Sequence, residues 1–365
     1  LGRHMTPCPP EVSPLLHQVT QAWFRGGWIG VDLFFVLSGF LVSGLLFREY
    51  ETHGRLRIGH FLIRRGFKIY PPFWLLIGVT ALVVTLQHDR VPVRGLVVEL
   101  LFLQSYIPAL WNHTWSLAIE EHFYFLLAIS LLILTRRRTD QPFRVIPGLF
   151  ITLALLCLVL RLQLSASATY NHQTHLLPTH LRLDSLFFGV CLAYFFHRHP
   201  TRFLEAAQRY RYLLLATGIT CLLPAFALRL ETTPFVYTYG LTLFYLGSGN
   251  LLVAALGFRS PKSRPLRAIA TLGSHSYSVY LWHMPVALWG PALTRPLFAD
   301  HYDWFVYATV YLVASLAIGV LMSAALEFPV LRLRDRYFPS RGGPLNAGTT
   351  ELSKRPSVDA PGVRL

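Results

Sequence analysis

The side chains best able to do chemistry stand where lipid would be expected. Asp32 lies early in GWIGVDLFFVLSGFLVSGLLF, Glu120, Glu121 and His122 within TWSLAIEEHFYFLL, Arg182 and Asp184 at the head of RLDSLFFGV, and His283 in SYSVYLWHMPV. An ionisable group inside an apolar span costs free energy, so each is a candidate for function. Ordinary roles compete: Arg182 and Asp184 can be a simple ion pair near the interface, and a lone His often only bonds one helix to another. Glu120 and Glu121 point about 100° apart on a helix, so one of them is expected to meet a cation or hold a proton. His283 shares a helical face with Tyr280 and Ser276 by its i, i+3 and i+7 spacing.

A second set lies in HFLIRRGFKIYPPFW. Arg64 and Lys68 are four residues apart and form one cationic stripe if helical, with Arg65 beside them and Tyr70-Pro71-Pro72 following. Positive residues flanking a span are ordinary cytoplasmic anchors. The functional alternative is a phosphate-binding patch, because guanidinium forks match phosphate oxygens. Such a patch suits the diphosphate of coenzyme A.

The elements that must position these groups follow from composition. Apolar residues make up 53% of the 365 and charged residues only 14%, far from soluble averages. Apolar runs long enough to cross a bilayer recur, among them Gly27 to Phe47, Trp115 to Thr135, Phe235 to Gly257 and Phe305 to Leu326. The fold class expected is all-α: a polytopic transmembrane helical bundle embedded in the lipid bilayer. The formal charge of +15 is no nucleic-acid signature here. Its Lys and Arg cluster in alternate loops, as expected for loops that stay in the cytoplasm. The alternation holds if Leu96 to Leu103, too short to span, is re-entrant or interfacial. Nine spans result, starting near residues 27, 69, 115, 143, 181, 212, 235, 267 and 304. The opening LGRHM lacks an initiator Met, so a first span is expected upstream, making ten in the complete protein.

By this topology Asp32, Glu120, Glu121, Arg182, Asp184 and His283 share the outer half of the bilayer. Gly26 and Gly30 have the small-xxx-small spacing that lets backbones approach. Cys8, Cys157, Cys191 and Cys221 have no metal-ligand spacing and read as small apolar residues, so no metal is expected. Residues 338–365, rich in Gly, Pro, Ser and Thr, read as a disordered cytoplasmic tail behind a membrane domain of 1–337. No internal repeat is visible, which weakens a transporter reading built on duplicated halves.

In their order and separation, GWIGVDLFFVLSGFLVSGLLF, FLIRRGFKIYPPFW, TWSLAIEEHFYFLL, RLDSLFFGV and SHSYSVYLWHMPV resemble the membrane acyltransferase-3 family over nearly all of 1–337. The resemblance implies a multi-pass enzyme of the bacterial inner membrane with about ten spans. By the same resemblance such an enzyme would O-acylate extracytoplasmic glycans such as lipopolysaccharide O-antigen, exopolysaccharide, Nod-factor-like oligosaccharide or peptidoglycan, and also some secondary metabolites, with acyl-CoA (acetyl-CoA by default) as co-substrate. It also implies a catalytic His late in the first span, a place that His4 occupies here. The Arg that precedes that His in the family is not in the chain. Lys68 stands where the family more often has Arg, which keeps the charge and loses the fork.

Combining both readings, acyl-CoA docks on Arg64, Arg65, Lys68 and Tyr70 from the cytoplasm. A glycan hydroxyl approaches from outside, near Glu121, Arg182, Asp184 and Tyr280. His4 acts as general base or as transient acyl carrier, since imidazole exchanges protons near neutrality. Glu120 or Asp32 orients its ring, Arg182 or Tyr280 stabilises the oxyanion, and His283 is the alternative base. The competing reading is a transporter or flippase that uses the same charges as a pathway. Oligomeric state is not encoded in any feature of the sequence.

Overall fold

The computed structural model describes residues 1–136, 139, 141–258, 263–298 and 301–341, and the secondary structure of these residues is helical, without strands. After a 3-10 turn at Gly2–His4, the helices are α1 (Pro14–Gly26), α2 (Gly30–His53), α3 (Ile58–Leu86), α4 (Val93–Leu100) and α5 (Trp115–Arg136). They continue with α6 (Ile146–Ser167), the single turn α7 (His172–His175), α8 (Leu183–Arg198), α9 (Pro200–Ala227), the single turn α10 (Pro234–Tyr237) and α11 (Tyr239–Gly257). The last are α12 (Arg264–Ser274), α13 (Ser276–Phe298), α14 (Trp304–Met322), a π-helical turn at Ser323–Glu327, and α15 (Phe328–Tyr337).

Local chemistry sets several boundaries. Ser13 caps α1 by accepting from the Leu16 N–H, and Asp303 caps α14 by accepting from the Val306 N–H at 2.9 Å. Gly54, at φ +65°, closes α2 in the left-handed region that a side chain disfavours. Helices occupy all nine expected positions, but some bounds move. α3 starts at Ile58, so Arg64, Arg65 and Lys68 lie inside the helix, and α9 starts at Pro200. The expected span from 267 is divided between α12 and α13.

Among the described residues, seven helical segments are long and apolar enough to cross a membrane: Pro14–His53, Ile58–Leu86, Trp115–Arg136, Pro142–Ser167, Pro200–Ala227, Tyr239–Gly257 and Trp304–Tyr337. The other two expected spans differ in kind. α8 has 16 residues, and α13 carries Pro285, Pro291 and Pro296 besides buried His283. The stretch around 96–103 is the eight-residue α4 followed by irregular chain, in line with a segment that does not span.

Short α8 is the centre of the bundle. Leu186, Phe187, Val190 and Ala193 join a core with Phe35 and Phe40 of α2, Phe73 and Leu76 of α3, Phe123 and Leu127 of α5, and Leu281 of α13. α2 and α8 cross at two glycines: a Cβ on Gly39 would run into the Leu186 carbonyl, and one on Gly189 into the Val36 carbonyl. The small-residue contact thus falls here and not at Gly26 and Gly30. Gly26 packs under the Phe226 ring and Gly30 faces open space. Residues 338–341, expected to be tail, pack on the bundle, while 342–365 lie outside the described residues.

Candidate active site

Three imidazoles stand in a row at a cavity of about 660 Å³. His4 and His283 have ring centroids 5.2 Å apart, and His283 and His113 lie 5.3 Å apart. All three rings line the cavity; Tyr280, hydrogen-bonded to Ser116, lies 5.5 Å from His113 between ring centroids, and Arg3 and His172 lie within electrostatic reach of His4. The backbone assigns two tautomers. His283 Nδ1 lies 2.6 Å from the Tyr280 carbonyl and His113 Nε2 lies 3.2 Å from the Leu281 carbonyl. A carbonyl only accepts, so each of these nitrogens carries the proton and leaves the other with a lone pair. Burial holds the His4 imidazole down at about 4 and the His113 imidazole down at about 3, so both are neutral near pH 7.

The loop ahead of α5 presents His113, and a buried carboxylate holds that loop. Glu99 of α4 accepts from the Trp111 N–H at 2.9 Å and from the Thr114 hydroxyl at 2.9 Å. The Trp111 indole N–H donates to Thr80 of α3 at 2.9 Å. Tyr280 adds a cross-helix tie, its hydroxyl donating to the His113 carbonyl and lying 2.7 Å from that of Ser116.

The intramembrane charges are distributed differently from the sequence expectation. Arg182 pairs with Asp32 at 2.8 Å, and Asp184 with Arg161 at 2.6 Å, all four side chains essentially without exposure. The expected partnership of Arg182 with Asp184 is replaced by two pairs linking α8 to α2 and α6, because side chains two apart on one helix point to opposite sides. Among the described residues neither Asp32 nor Glu120 bonds to His4, and Arg182 lies against the Phe35 and Trp115 rings, 5.8 and 5.9 Å from their centroids. The oxyanion and ring-orienting roles expected of these residues have no contact here to carry them.

Glu120 and Glu121 do not join the outer set. The Tyr70 hydroxyl donates to Glu121 at 2.8 Å, and Lys68 lies within electrostatic reach of Arg65, Glu327 and Glu120. Arg65 sits 5.9 Å from the centroids of both the Phe61 and Tyr124 rings. Glu121 was expected with the acceptor and is found with the residues expected to bind the donor. Arg64 is engaged by the C-terminal segment: it forms an ion pair with Asp335 at 3.0 Å and donates to the Phe338 carbonyl, while the Phe338 ring packs on His60 and Phe67. The two clusters are neighbours, since Glu120 follows Ser116 by one turn of α5, and the Tyr277 hydroxyl donates to the Ile69 carbonyl at 2.7 Å, between Lys68 and Tyr70.

Sequence reasoning missed His113 and Arg161. Arg161 was visible by the rule that found the others, standing alone in LFITLALLCLVLRLQLS. His113 has no such signal, since it sits in the loop segment WNHTW and only the approach of α13 brings it to His283. Among the described residues no His, Cys, Asp and Glu group could hold a metal ion.

These seven apolar segments among the described residues define a multi-pass membrane protein. The family model described as "Acyltransferase domain" matches residues 9–324, and the chain belongs to that membrane acyltransferase family. It is 26% identical over 341 residues to the peptidoglycan O-acetyltransferase OatA of Listeria monocytogenes, covering 87% of this chain and 54% of the relative. It is 28% identical over 301 residues to a provisionally named O-acetyltransferase of Staphylococcus aureus (strain COL), covering 74% and 48%. Similarity to the O-acetyltransferase OatA of Staphylococcus aureus (strain NCTC 8325) is 26% over 299 residues, covering 75% and 48%. The chain spans about half the length of these relatives. No solved structure matches it.

Proposed function

We propose that this chain moves an acetyl group from acetyl-CoA, bound from the cytoplasmic side, to a hydroxyl of an envelope glycan, in the bacterial cytoplasmic membrane. The observation that carries the reading is one cavity holding neutral imidazoles, one helical turn of α5 from a cationic cluster. His4, beside Arg3 at the outer end of the row, takes the proton from the acceptor hydroxyl as its oxygen attacks the thioester carbonyl. Arg64, Arg65 and Lys68 receive the phosphates of the donor, and Tyr70 with Glu121 lines the way from them to the cavity. The name of the Listeria relative, a peptidoglycan O-acetyltransferase, favours a peptidoglycan sugar as acceptor over O-antigen.

Membranes carrying the protein, given labelled acetyl-CoA, are expected to place label in glycan. His4→Ala should remove that label, and Arg65→Ala should raise the acetyl-CoA concentration needed. Absence of label above empty membranes with every acceptor pool would sink acyl transfer and turn attention to transport. The buried charges weigh against a transport pathway, because Asp32 with Arg182 and Asp184 with Arg161 are already paired.

A further inference from the structure

In the acyl-transfer reading one proton moves from the acceptor oxygen to the coenzyme sulfur, the acceptor reaching the imidazole row from the His4 end and the donor from the His113 end. His4 stands at one end of the row, with Arg3 and His172 within electrostatic reach. His113 lies at the end with Tyr280 and Ser116, on the side where α5 continues into Glu120 and the donor cluster. His283 stands between them. A thiolate released against the largely apolar wall of this cavity is an unpaired anion and is costly until it is protonated.

His113 is built to serve that sulfur. It is 4% exposed, its Nε2–H is committed to the Leu281 carbonyl, and its Nδ1 is buried without a partner. Its backbone is held on both flanks by Glu99 through the Trp111 N–H and the Thr114 hydroxyl, so the ring is aimed before any ligand arrives. A buried polar atom left unpartnered calls for an explanation, and a transient proton supplies one.

We propose that His113 is a second catalytic imidazole, which delivers to the departing sulfur the proton that His4 takes from the acceptor hydroxyl. As the new C–O bond forms, the hydroxyl proton goes to His4. The C–S bond breaks and its electron pair stays on sulfur. The proton passes from His4 to Nε2 of His283, then to Nδ1 of His113, and from there to the thiolate. Ester and free thiol leave, and all three imidazoles return to neutral. The assignment rests on the acyl-transfer reading above, and Glu99 acts in it as a positioning residue.

The test compares two donors on the whole protein in membranes. Acetyl-CoA releases the coenzyme as a basic thiolate, whereas 4-nitrophenyl acetate releases a phenolate that needs no proton. His113→Gln keeps an amide N–H for the Leu281 carbonyl and removes the basic nitrogen. With acetyl-CoA its kcat is expected to fall about 100-fold, a usual size for a lost proton transfer, with KM nearly unchanged. With 4-nitrophenyl acetate it should stay within about threefold of wild type, while His4→Ala is slow with both donors. Equal loss with both donors would make His113 merely structural, and full kcat with acetyl-CoA would also overturn the proposal. If wild type transferred from neither donor, the acyl-transfer reading itself would fall, an outcome distinct from either of these.

Discussion

At the scale of single residues, burial decides protonation. A free imidazole titrates near 6.5, but burial keeps His4 at about 4, so it can accept a proton throughout the neutral range. The acid limb of kcat/KM should therefore lie near pH 4 to 5, about two units below that of a free imidazole, with little change between about pH 6 and 7.5. A pH–rate profile with a limb centred at 6.5 would show that His4 works as a solvated group. Glu99 gives the opposite sign. Burial raises its carboxyl to about 7, against donors from Trp111 and Thr114 that pull it down. Between the unfolded value of about 4.3 and 7, the folded state holds a proton that the unfolded state has lost. Stability should therefore fall as pH rises through that window. Thermal unfolding in detergent from about pH 4.5 to 7.5 is expected to show this fall in wild type and a flatter profile in Glu99→Gln. The Arg161–Asp184 pair is tested by removal of one partner. Arg161→Met leaves a buried carboxylate unpaired and should cost about 3–5 kcal/mol, with partial recovery in Arg161→Met, Asp184→Leu. Equal unfolding of the single and double variants would mean that the pair is not the source of the loss.

At the scale of elements, the controlling contact is the crossing of α2 and α8. Both sides of it are backbone, so an added methyl group has no flexible neighbour to displace. Gly39→Ala should therefore lower the unfolding temperature and cost more than the roughly 1–3 kcal/mol of ordinary overpacking, while Gly30→Ala, facing open space, should not. The opposite order would place the close contact elsewhere. The second elemental feature is the end of α15 with the residues just after it, laid across α3. Asp335 is about half exposed, so its bond to Arg64 is weak. Asp335→Asn should lower the KM for acetyl-CoA by at most about fivefold, the equivalent of 1 kcal/mol, with kcat unchanged. A raised KM would show that Asp335 helps the donor to bind. Much at this scale was legible in the sequence. The helices, the non-spanning α4 and the positive loops follow from run length and charge, because a helix in lipid satisfies its backbone within one segment. What misled was the reach of α3 and α9, whose polar first turns continue the helix beyond the apolar run.

At the scale of the whole molecule, two families of charge are kept apart by helix rotation. One is a sealed lattice of Asp32, Arg182, Asp184 and Arg161 that ties α2, α8 and α6 together. The other is the set of Arg65, Lys68, Tyr70, Glu120 and Glu121 beside the imidazole cavity, whose two carboxylates are buried as well. Apolar length, positive loops, the ionisable residues within spans and the motif order that marks the family were all present in the sequence, since each is a property of one continuous segment. Only the tertiary structure decided that Arg182 takes Asp32 and not Asp184, that Glu121 turns to Tyr70, and that His113 of a short loop meets His283 across 170 residues of chain. Those pairings depend on how helices rotate and cross, and hydropathy within a segment carries no information about the face of a distant helix that will meet it.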